Sequence, residues 1–242
     1  MTSERRTQLW CLIVDHAHGN PVEVAHVGAT AISTVGVDGA ALTVTLAASP
    51  RETIYANDPL ASELEELTLT VGEGPGIDAR TGGPALAADL SSAECEIRWP
   101  VFAPAAVDAG AQAFFALPLQ VGSVHLGVMD LYRIRPGPLN AGELADALIL
   151  ADTACAVLLD LRTHGLAGNG PPEGTGPEHP EVHQATGMLI VQLGATATVA
   201  LIRLRAYAYA HDRRLHDVAA DVVARRLRFT AETDERETGP DQ

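Results

Sequence analysis

Hydrophobic positions in the first part of the chain change their period, and each period predicts a different element. The spacing is helical over residues 3–17 and 22–33, and again over residues 59–68. Between them, residues 39–47 alternate Leu or Val with Ala or Thr, which predicts a half-buried strand. Residues 51–56 follow a Ser-Pro turn and are predicted to be the hairpin partner of this strand.

The same reasoning continues through the next hundred residues. It predicts a strand at 85–89, a helix at 102–109, and two paired strands at 113–121 and 123–132. Asn140 is a suitable N-cap for a long helix that runs to Thr163. Helices flanking a central antiparallel sheet are typical of the α+β class, which is the fold class predicted here.

Two of these helices have a predicted inner face. In the helix at 3–17, the buried side chains would be Leu9, Leu12 and Ile13. In the helix at 59–68, Leu60, Leu64 and Leu67 would be buried, and the exposed side chains would be Glu63, Glu65 and Glu66.

Residues 71–79 contain three glycines and a proline within five positions, which predicts a tight loop. Gly74, Gly76 and Ala79 formally fit the GxGxxA pattern of dinucleotide-binding folds, but that pattern needs a helix directly behind it. The run Thr-Gly-Gly-Pro at 81–84 would stop such a helix almost at once. Dinucleotide binding is therefore disfavoured.

A second helical pattern occupies residues 178–229 and divides into three segments. The first ends at Gly194, the second begins after Thr196 or Thr198 as N-cap, and the third begins at Leu215. Three helices of this length can close a small bundle, although its core would be small. The sequence thus predicts an all-α domain behind the α+β domain.

The second of these helices carries basic and aromatic residues on both flanks. Arg203 and Tyr207 are spaced i, i+4 on one flank, and Arg205 and Tyr209 on the other. Residues 178–229 hold seven Arg against five acids, a net charge of +2, so the remainder of this −15 chain carries −17. Such a local cationic patch indicates polyanion binding, because Arg pairs with phosphate and stacks on bases. The alternative is that these Arg form the solvated faces of amphipathic helices.

This segment resembles the ANTAR domain, a three-helix module of bacterial transcription antiterminators that binds RNA. The matching positions are Ala185, Gly187 and Met188, then Leu204-Arg205 and Ala208, then the run Arg214-Leu215-x-Asp217-Val218-Ala219. The resemblance implies hairpin RNA in mRNA leaders as the partner and a homodimer as the binding species. Arg203 departs from the family pattern, which has an apolar residue at that position.

The resemblance and the charge pattern together predict a set of contacts. The predicted RNA-binding residues are Arg203, Arg205, Tyr207, Tyr209, Arg213, Arg214, Arg225 and Arg226. Arg would pair with phosphates, while Tyr and Arg would stack on bases. A further set is predicted to pack the bundle, namely Ala185, Gly187, Ala208, Leu215 and Ala219.

Most of residues 1–164 resembles a GAF domain of the type that precedes ANTAR domains in actinobacterial regulators. The resemblance rests on the runs LEELTLTVGEGPGIDA, RWPVFAPAAVDAG and FALPLQVGSVHLGVMDLYR. GAF domains sense small molecules or dimerise, which implies an unknown small-molecule or protein signal for this chain. The Asn-Lys-x-x-Phe signature of members that bind cyclic nucleotides is absent, and no Cys has the context of a bilin attachment site.

The patterns therefore predict four parts. These are a GAF sensor domain at 1–164, a Gly/Pro linker at 165–177, an ANTAR domain at 178–229 and a disordered acidic tail at 230–242.

Composition excludes several classes of function. All 16 basic residues are Arg, which removes Lys-dependent mechanisms such as P-loop nucleotide binding and Schiff-base chemistry. Cys11, Cys95 and Cys155 lack CxxC spacing and are expected to be reduced thiols. No stretch has the length of a transmembrane helix or the pattern of a signal peptide, so a cytoplasmic protein without membrane contact is predicted.

No set of residues in the sequence indicates catalysis or metal binding. The closely spaced pairs His16-x-His18 and His179-x3-His183 lack further ligands nearby. The Ser residues lack a GxSxG context, and carboxylates such as Glu65 are expected in ordinary exposed positions. The protein is predicted to be neither an enzyme nor a metalloprotein, with no cofactor other than an unknown ligand of the GAF domain.

The function predicted from the sequence is that of an RNA-binding transcription antitermination regulator, controlled by its sensor or dimerisation domain. Two alternatives stay open. A small helical bundle with Arg side chains can also enter the major groove of DNA. The bundle could instead contact only protein, in which case it would show no salt-dependent affinity for nucleic acid.

Overall fold

The structure, a computed structural model, describes three ranges of the chain, residues 2–44, 51–165 and 180–230. The chain divides into two compact units, Met1–Glu178 and His179–Gln242. The predicted Gly/Pro linker and acidic tail lie almost wholly outside the described ranges, as does the Ser-Pro turn after the first strand.

Within its described residues, the first unit contains seven helices and five strands. The helices are α1 (Thr2–Ala17), α2 (Val24–Val35), α3 (Pro59–Val71), α4 (Pro75–Gly82), α5 (Ala93–Arg98), α6 (Phe102–Ala109) and α7 (Ala141–Gly165). The strands are β1 (Gly39–Val44), β2 (Glu52–Ala56), β3 (Ala85–Ala87), β4 (Ala113–Val121) and β5 (Val124–Arg133). The predicted α+β class is confirmed.

The strands form one antiparallel sheet in the order β2-β1-β5-β4-β3. Its longest pair is β4 with β5, which runs from Ala113 opposite Arg133 to Val121 opposite Val124, with a register shift between Leu119 and Gln120. This hairpin turns at Gly122, whose φ of 60° is a left-handed conformation that glycine adopts without strain. The two strands predicted around Gly122 are therefore present and paired.

Helices cover both faces of the sheet. On one face, α1, α2 and α7 bury side chains such as Ile13, Val27 and Leu150. On the other, α3, α4 and α6 cover a second core that contains Trp99 and Phe102. Every residue of β1 is consequently buried, whereas its sequence pattern predicted one exposed face. Ala and Thr fit either setting, so alternation alone could not distinguish a covered face from a solvated one.

The inner faces of two helices differ from prediction, most clearly at Leu12 and at Glu65. On α1, Leu9 and Ile13 are buried, but Leu12 is 37% exposed. On α3, Glu65 was predicted to be exposed and is only 3% exposed. Glu65 tolerates burial because Arg51, directly before β2, donates hydrogen bonds to its carboxylate.

Two short helices occur that the sequence did not predict. Helix α4 follows Gly74, whose φ is 121°, and begins with Pro75 at its first position, where the missing N–H of proline costs nothing. Helix α5 begins at Ser92, whose Oγ accepts a hydrogen bond from the Cys95 N–H at 3.3 Å. Helices of eight and six residues are too short for periodicity to identify them.

The second unit, over residues 180–230, is a bundle of three helices, α8 (Pro180–Leu193), α9 (Ala197–Ala210) and α10 (Leu215–Val223). Helix α9 begins at Thr196, whose Oγ1 accepts a hydrogen bond from the Val199 N–H at 3.4 Å. No single helix in the described ranges is long and apolar enough to cross a membrane. Among the described residues, one pair of helices, α8 and α9, has the length and composition of a membrane span when the two are taken together, and the pair is bent by 107°.

Candidate nucleic-acid interface

Each helix of the bundle contributes one stripe of buried residues. The side chains with almost no exposure are Val182, Ala185 and Leu189 on α8, Ala200, Leu204 and Ala208 on α9, and Leu215, Val218, Ala219 and Val222 on α10. On α9, Ala200 is fully buried, whereas Leu201, the next residue, is only half-buried. The stripes are narrow and include four alanines, so most of the surface of each helix remains outside the core.

The two predicted pairs on α9 lie on opposite flanks of that helix. Arg203 and Tyr207 are both half-buried on one flank. On the other flank Arg205 is half-buried, while Tyr209 is 61% exposed. Of the two tyrosines, only Tyr209 therefore presents most of its ring to solvent.

An exposed apolar stripe runs between these flanks. Val199, Ile202 and Tyr209 recur at helical spacing and are 43%, 55% and 61% exposed. At 100° per residue, Arg203 and Arg205 fall about 80° to either side of the centre of this stripe. The surface of α9 away from the core is thus apolar along its centre and cationic along both edges.

Tyr207 is occupied by contacts within the bundle. Its ring stacks on the His211 ring at 3.9 Å between centroids and meets the Phe229 ring edge-on at 5.3 Å. The Phe229 N–H donates to Gln192 Oε1 at 3.1 Å, which fixes that residue against α8. Sequence reasoning missed Gln192, His211 and Phe229, and only the i, i+4 spacing of Tyr207 and His211 could have indicated part of this cluster.

Two of the predicted RNA-binding arginines bind the same carboxylate. Arg213 Nη2 donates to Asp221 Oδ2 at 2.7 Å, and Arg226 Nε donates to Asp221 Oδ1 at 2.7 Å. These hydrogen bonds hold the pKa of Asp221 below its usual range. Arg213 precedes α10 and Arg226 follows it, so Asp221 ties both ends of this short helix together.

Arg214 and Arg225 are exposed at the two ends of the same helix. Arg214 occupies the N-cap position of α10 and makes no side-chain cap. Arg225 has a φ of 59°, a conformation that reverses the chain after α10. Both side chains therefore project from the ends of the helix into solvent.

The predicted packing residues fall into two groups. Ala185, Ala208, Leu215 and Ala219 are fully buried in the bundle. Gly187 differs from the expectation of close packing, because it is exposed and no atom lies within 4 Å of the position that a Cβ would occupy. A glycine there serves no packing purpose inside the bundle itself.

Gly187→Ala is accordingly expected to stabilise the bundle. Alanine in an exposed helix interior is favoured over glycine by about 0.5–1 kcal/mol, since glycine loses more backbone entropy on folding. Hydrogen exchange of the α8 amides would measure the change, because it reports the opening of this unit separately from the other. Slower exchange is the expected result. Faster exchange would indicate a close contact at Gly187 that the bundle does not show.

The first unit contains a second candidate site, on the sheet face covered by α3 to α6. Aromatic side chains fill this face, with Phe102 meeting Phe114 edge-on at 5.6 Å and Trp99 buried beside them. Trp99 Nε1 donates to Asp78 Oδ2 at 3.1 Å, which satisfies the buried end of the indole. Side chains of the protein itself therefore fill this face of the sheet.

Beside these aromatics lies a buried charged cluster of Arg51, Glu65 and Asp130. Arg51 Nε and Nη2 donate to Glu65 Oε2 at 3.0 and 2.5 Å, and Nη2 also donates to Asp130 Oδ2. A Cβ at Gly76 would lie 2.8 Å from the Arg51 guanidinium, so glycine at that position makes room for the cluster. Burial and the neighbouring Glu65 carboxylate raise the pKa of Asp130 well above its ordinary value.

Of the two closely spaced histidine pairs, His16, His18 and His183 lie among the described residues. His16 Nδ1 lies 2.9 Å from the Leu12 carbonyl oxygen and 3.1 Å from Thr30 Oγ1. Burial lowers the pKa of His183, whose predicted partner His179 lies outside the described residues. Over the ranges that the structure describes, no group of three or more His, Cys, Asp or Glu could hold a metal ion.

The two units of the chain are similar to different known proteins. The sequence model of the ANTAR domain matches residues 177–223. No curated protein sequence matches the chain significantly. Among solved structures, the GAF domain of an Acinetobacter phosphoenolpyruvate-protein phosphotransferase has a TM-score of 0.50 at 11% identity, covering 70% of this chain and 99% of that one. The corresponding GAF domain from Coxiella burnetii has a TM-score of 0.47 at 13% identity, covering 69% and 99%.

At such low identity the structural likeness shows the fold alone, and that fold agrees with the five-stranded antiparallel sheet and its helices. The ANTAR match falls on the three-helix bundle, from just before α8 to the end of α10. The chain therefore has a GAF–ANTAR architecture, in which a unit with the GAF fold precedes an ANTAR domain.

Proposed function

We propose that the protein is a cytoplasmic, non-enzymatic transcription antitermination regulator whose ANTAR domain binds hairpins in nascent mRNA. The observation that carries the proposal is the ANTAR match at 177–223, on a bundle that presents Arg and Tyr side chains outside its core. Arg is suited to this role because its planar guanidinium pairs with phosphates and stacks on unpaired bases.

The geometry divides the predicted RNA-binding residues by role. Arg203, Arg205 and Tyr209 on α9 and the exposed Arg214 and Arg225 are the proposed direct contacts. Tyr207, through its aromatic contacts, and Arg213 and Arg226, through Asp221, are proposed to position these contacts. Phosphate pairing would belong to the arginines, and base stacking to Tyr209.

The unit with the GAF fold is proposed to act in dimerisation and signalling. Exposed apolar side chains occur on α1 at Trp10 and Val14, and on α7 at Leu148 and Leu159. The two helices are joined by the ion pairs Arg5–Asp146 and Arg6–Asp152. A second copy of this unit is the proposed partner of that surface, and a dimer would bring two weak ANTAR modules to a pair of hairpins with a gain in avidity.

The test of RNA binding is the double variant Arg205→Ala, Arg214→Ala, titrated with paired RNA hairpins over a salt series. Loss of two phosphate contacts should weaken binding about tenfold or more at low salt and reduce the slope of log K against log salt by roughly 1.4 to 1.8. The matched control is Arg98→Ala, Arg135→Ala, which removes the same charge from exposed positions of the first unit and should leave affinity unchanged.

Duplex DNA of matched length is included as competitor. Binding of equal strength to RNA and DNA would point to a DNA-binding regulator instead. Binding to neither, at any salt concentration, would leave the bundle as a protein-contact module. Equal losses in the double variant and the control would mean that net charge, and not this surface, determines affinity.

A further inference from the structure

Three aromatic rings form a cluster where helix α9 ends. The Tyr207 ring lies in the middle, with the His211 ring nearly parallel to it at an interplanar angle of 18° and the Phe229 ring at 65°. None of the three belongs to the buried stripes of the bundle, since Tyr207 and Phe229 are half-buried and His211 is exposed. The cluster therefore presents an aromatic surface to solvent.

Two contacts fix the His211 ring. Its Nδ1 lies 2.9 Å from the Tyr207 carbonyl oxygen and is the donor, because a carbonyl oxygen only accepts. One face of the ring is stacked on the Tyr207 ring, with 3.9 Å between centroids. Because His211 is exposed, the opposite face is the one turned to solvent. A flat surface that is held in place before a ligand arrives loses little conformational entropy on binding.

The support behind this ring includes a residue beyond the family match. Phe229 meets the Tyr207 ring edge-on at 5.3 Å, and its N–H donates to Gln192 Oε1 at 3.1 Å. The ANTAR model matches residues 177–223, so Phe229 lies outside it. The complete cluster is thus a feature of this chain and does not follow from the family match.

Exposed cations lie close to the cluster in the chain. Arg214 follows His211 by three residues, Arg228 directly precedes Phe229, and both arginines are exposed. One exposed carboxylate, that of Asp212, lies between His211 and Arg214. An aromatic ring with cations beside it suits a base that carries its own phosphate, because the ring stacks on the base and the cations attract the phosphate.

We infer that the outer face of His211 is a stacking site for an unpaired RNA base, such as one in the loop of a hairpin. Proteins commonly hold unpaired bases by stacking them on aromatic rings, which requires a ring face that solvent reaches. Bases paired in a stem are already stacked on both sides and are not available to this ring. The inference rests on the proposed function and adds a stacking contact to that of Tyr209, with Tyr207 and Phe229 as its support.

The first experiment titrates two variants, His211→Ala and His211→Phe, with the paired RNA hairpins used for the wild type. Loss of one stacked base should weaken the binding of His211→Ala about fivefold or more. His211→Phe keeps a flat ring on Tyr207 and should bind within about twofold of the wild type. Equal losses in the two variants would overturn the inference, because affinity would then not depend on a ring face.

The matched control is His125→Ala, which removes an exposed histidine ring from the first unit. It should leave the affinity for RNA unchanged. A loss as large as that of His211→Ala would overturn the inference, because it would show that the position of the ring is immaterial.

The second experiment locates the base. Each loop nucleotide is replaced in turn by an abasic one, which keeps the phosphate and removes the base. At one loop position the replacement should weaken wild-type binding about fivefold or more. It should have little further effect on His211→Ala, because both changes remove the same contact. Effects that add at every loop position would overturn the inference.

These measurements distinguish the inference from the function on which it rests. Salt-dependent RNA binding that is equal for the wild type and His211→Ala would overturn the stacking site and leave the antitermination proposal standing. Absence of RNA binding by the wild type at every salt concentration would overturn both. If His211→Ala fails to fold, the abasic series on the wild type still decides, since equal binding of all abasic hairpins would overturn the stacking site.

Discussion

Gly127→Ala is expected to prevent stable folding of the unit with the GAF fold. Gly127 lies in β5 opposite Val44 of β1, and a Cβ at this position would lie 1.8 Å from the Thr43 carbonyl oxygen. Neither atom can move alone, because both belong to the backbone of paired strands at the centre of the sheet. Relief requires the separation of β1 from β5, with loss of ladder hydrogen bonds and of packing on both faces.

The expected cost is about 4 kcal/mol or more, at the upper end of single substitutions and a large share of the roughly 5–15 kcal/mol that stabilises a typical domain. Urea unfolding followed by tryptophan fluorescence would measure it, since Trp10 and Trp99 both lie in this unit. Gly82→Ala is the control, because no atom lies within 4 Å of its added Cβ and its φ is not positive. Wild-type stability of the Gly127 variant would contradict the close pairing of β1 with β5.

Arg51→Met is the second substitution with a large expected effect. It removes the cation between Glu65 and Asp130 and leaves two carboxylates buried together, with side chains that are 3% and 1% exposed. Removing one partner of a buried ion pair typically costs about 3–5 kcal/mol, because the remaining charge keeps its desolvation penalty. Tryptophan fluorescence in urea again measures the change.

Asp130→Asn is the matched variant of this cluster. It keeps the shape of the side chain, leaves Arg51 paired one to one with Glu65, and can still accept the hydrogen bond from Arg51. Its cost at neutral pH is expected to stay within about 1 kcal/mol. If it destabilises as much as Arg51→Met, Asp130 is needed as an anion and the assignment of a raised pKa is wrong.

The pH dependence follows from the same cluster. Burial and Glu65 raise the folded pKa of Asp130, although Arg51 opposes them, so the folded protein binds this proton more tightly than the unfolded chain. The stability gained is fully present below the unfolded pKa of about 3.9 and is lost as pH rises through the folded pKa. Wild type should therefore lose stability relative to Asp130→Asn as the pH rises above this unfolded pKa and through the raised folded pKa.

Local signals in the sequence predicted much of the fold, because they depend on residues close together in the chain. Asn140 caps α7 by accepting from the Gly142 and Glu143 N–H groups, at 2.9 and 3.0 Å, and Thr196 caps α9. The bounds of α6 and β4 coincide with the predicted ones, and the three helices of the bundle lie where their apolar spacing placed them. Helical and strand periods are local properties, so they can be read without knowledge of tertiary contacts.

The tertiary structure decided which charged and aromatic side chains are buried and paired within the protein. Glu65 looked like a surface residue because its neighbours in sequence are acidic, but Arg51, directly before β2, binds both Glu65 and Asp130 of β5. Pairing across strands far apart in the chain leaves no local pattern.

The same holds for the candidate interface. The sequence by itself determined the two-domain architecture, the Arg and Tyr spacing on α9 and the charge of each segment. Only the structure showed that Asp221 holds Arg213 and Arg226, that Tyr207 is stacked, and that the chain returns past α9 at Phe229. Composition and spacing are properties of the chain alone. Whether a side chain has a partner depends instead on which distant residues the fold brings within hydrogen-bonding or van der Waals distance of it.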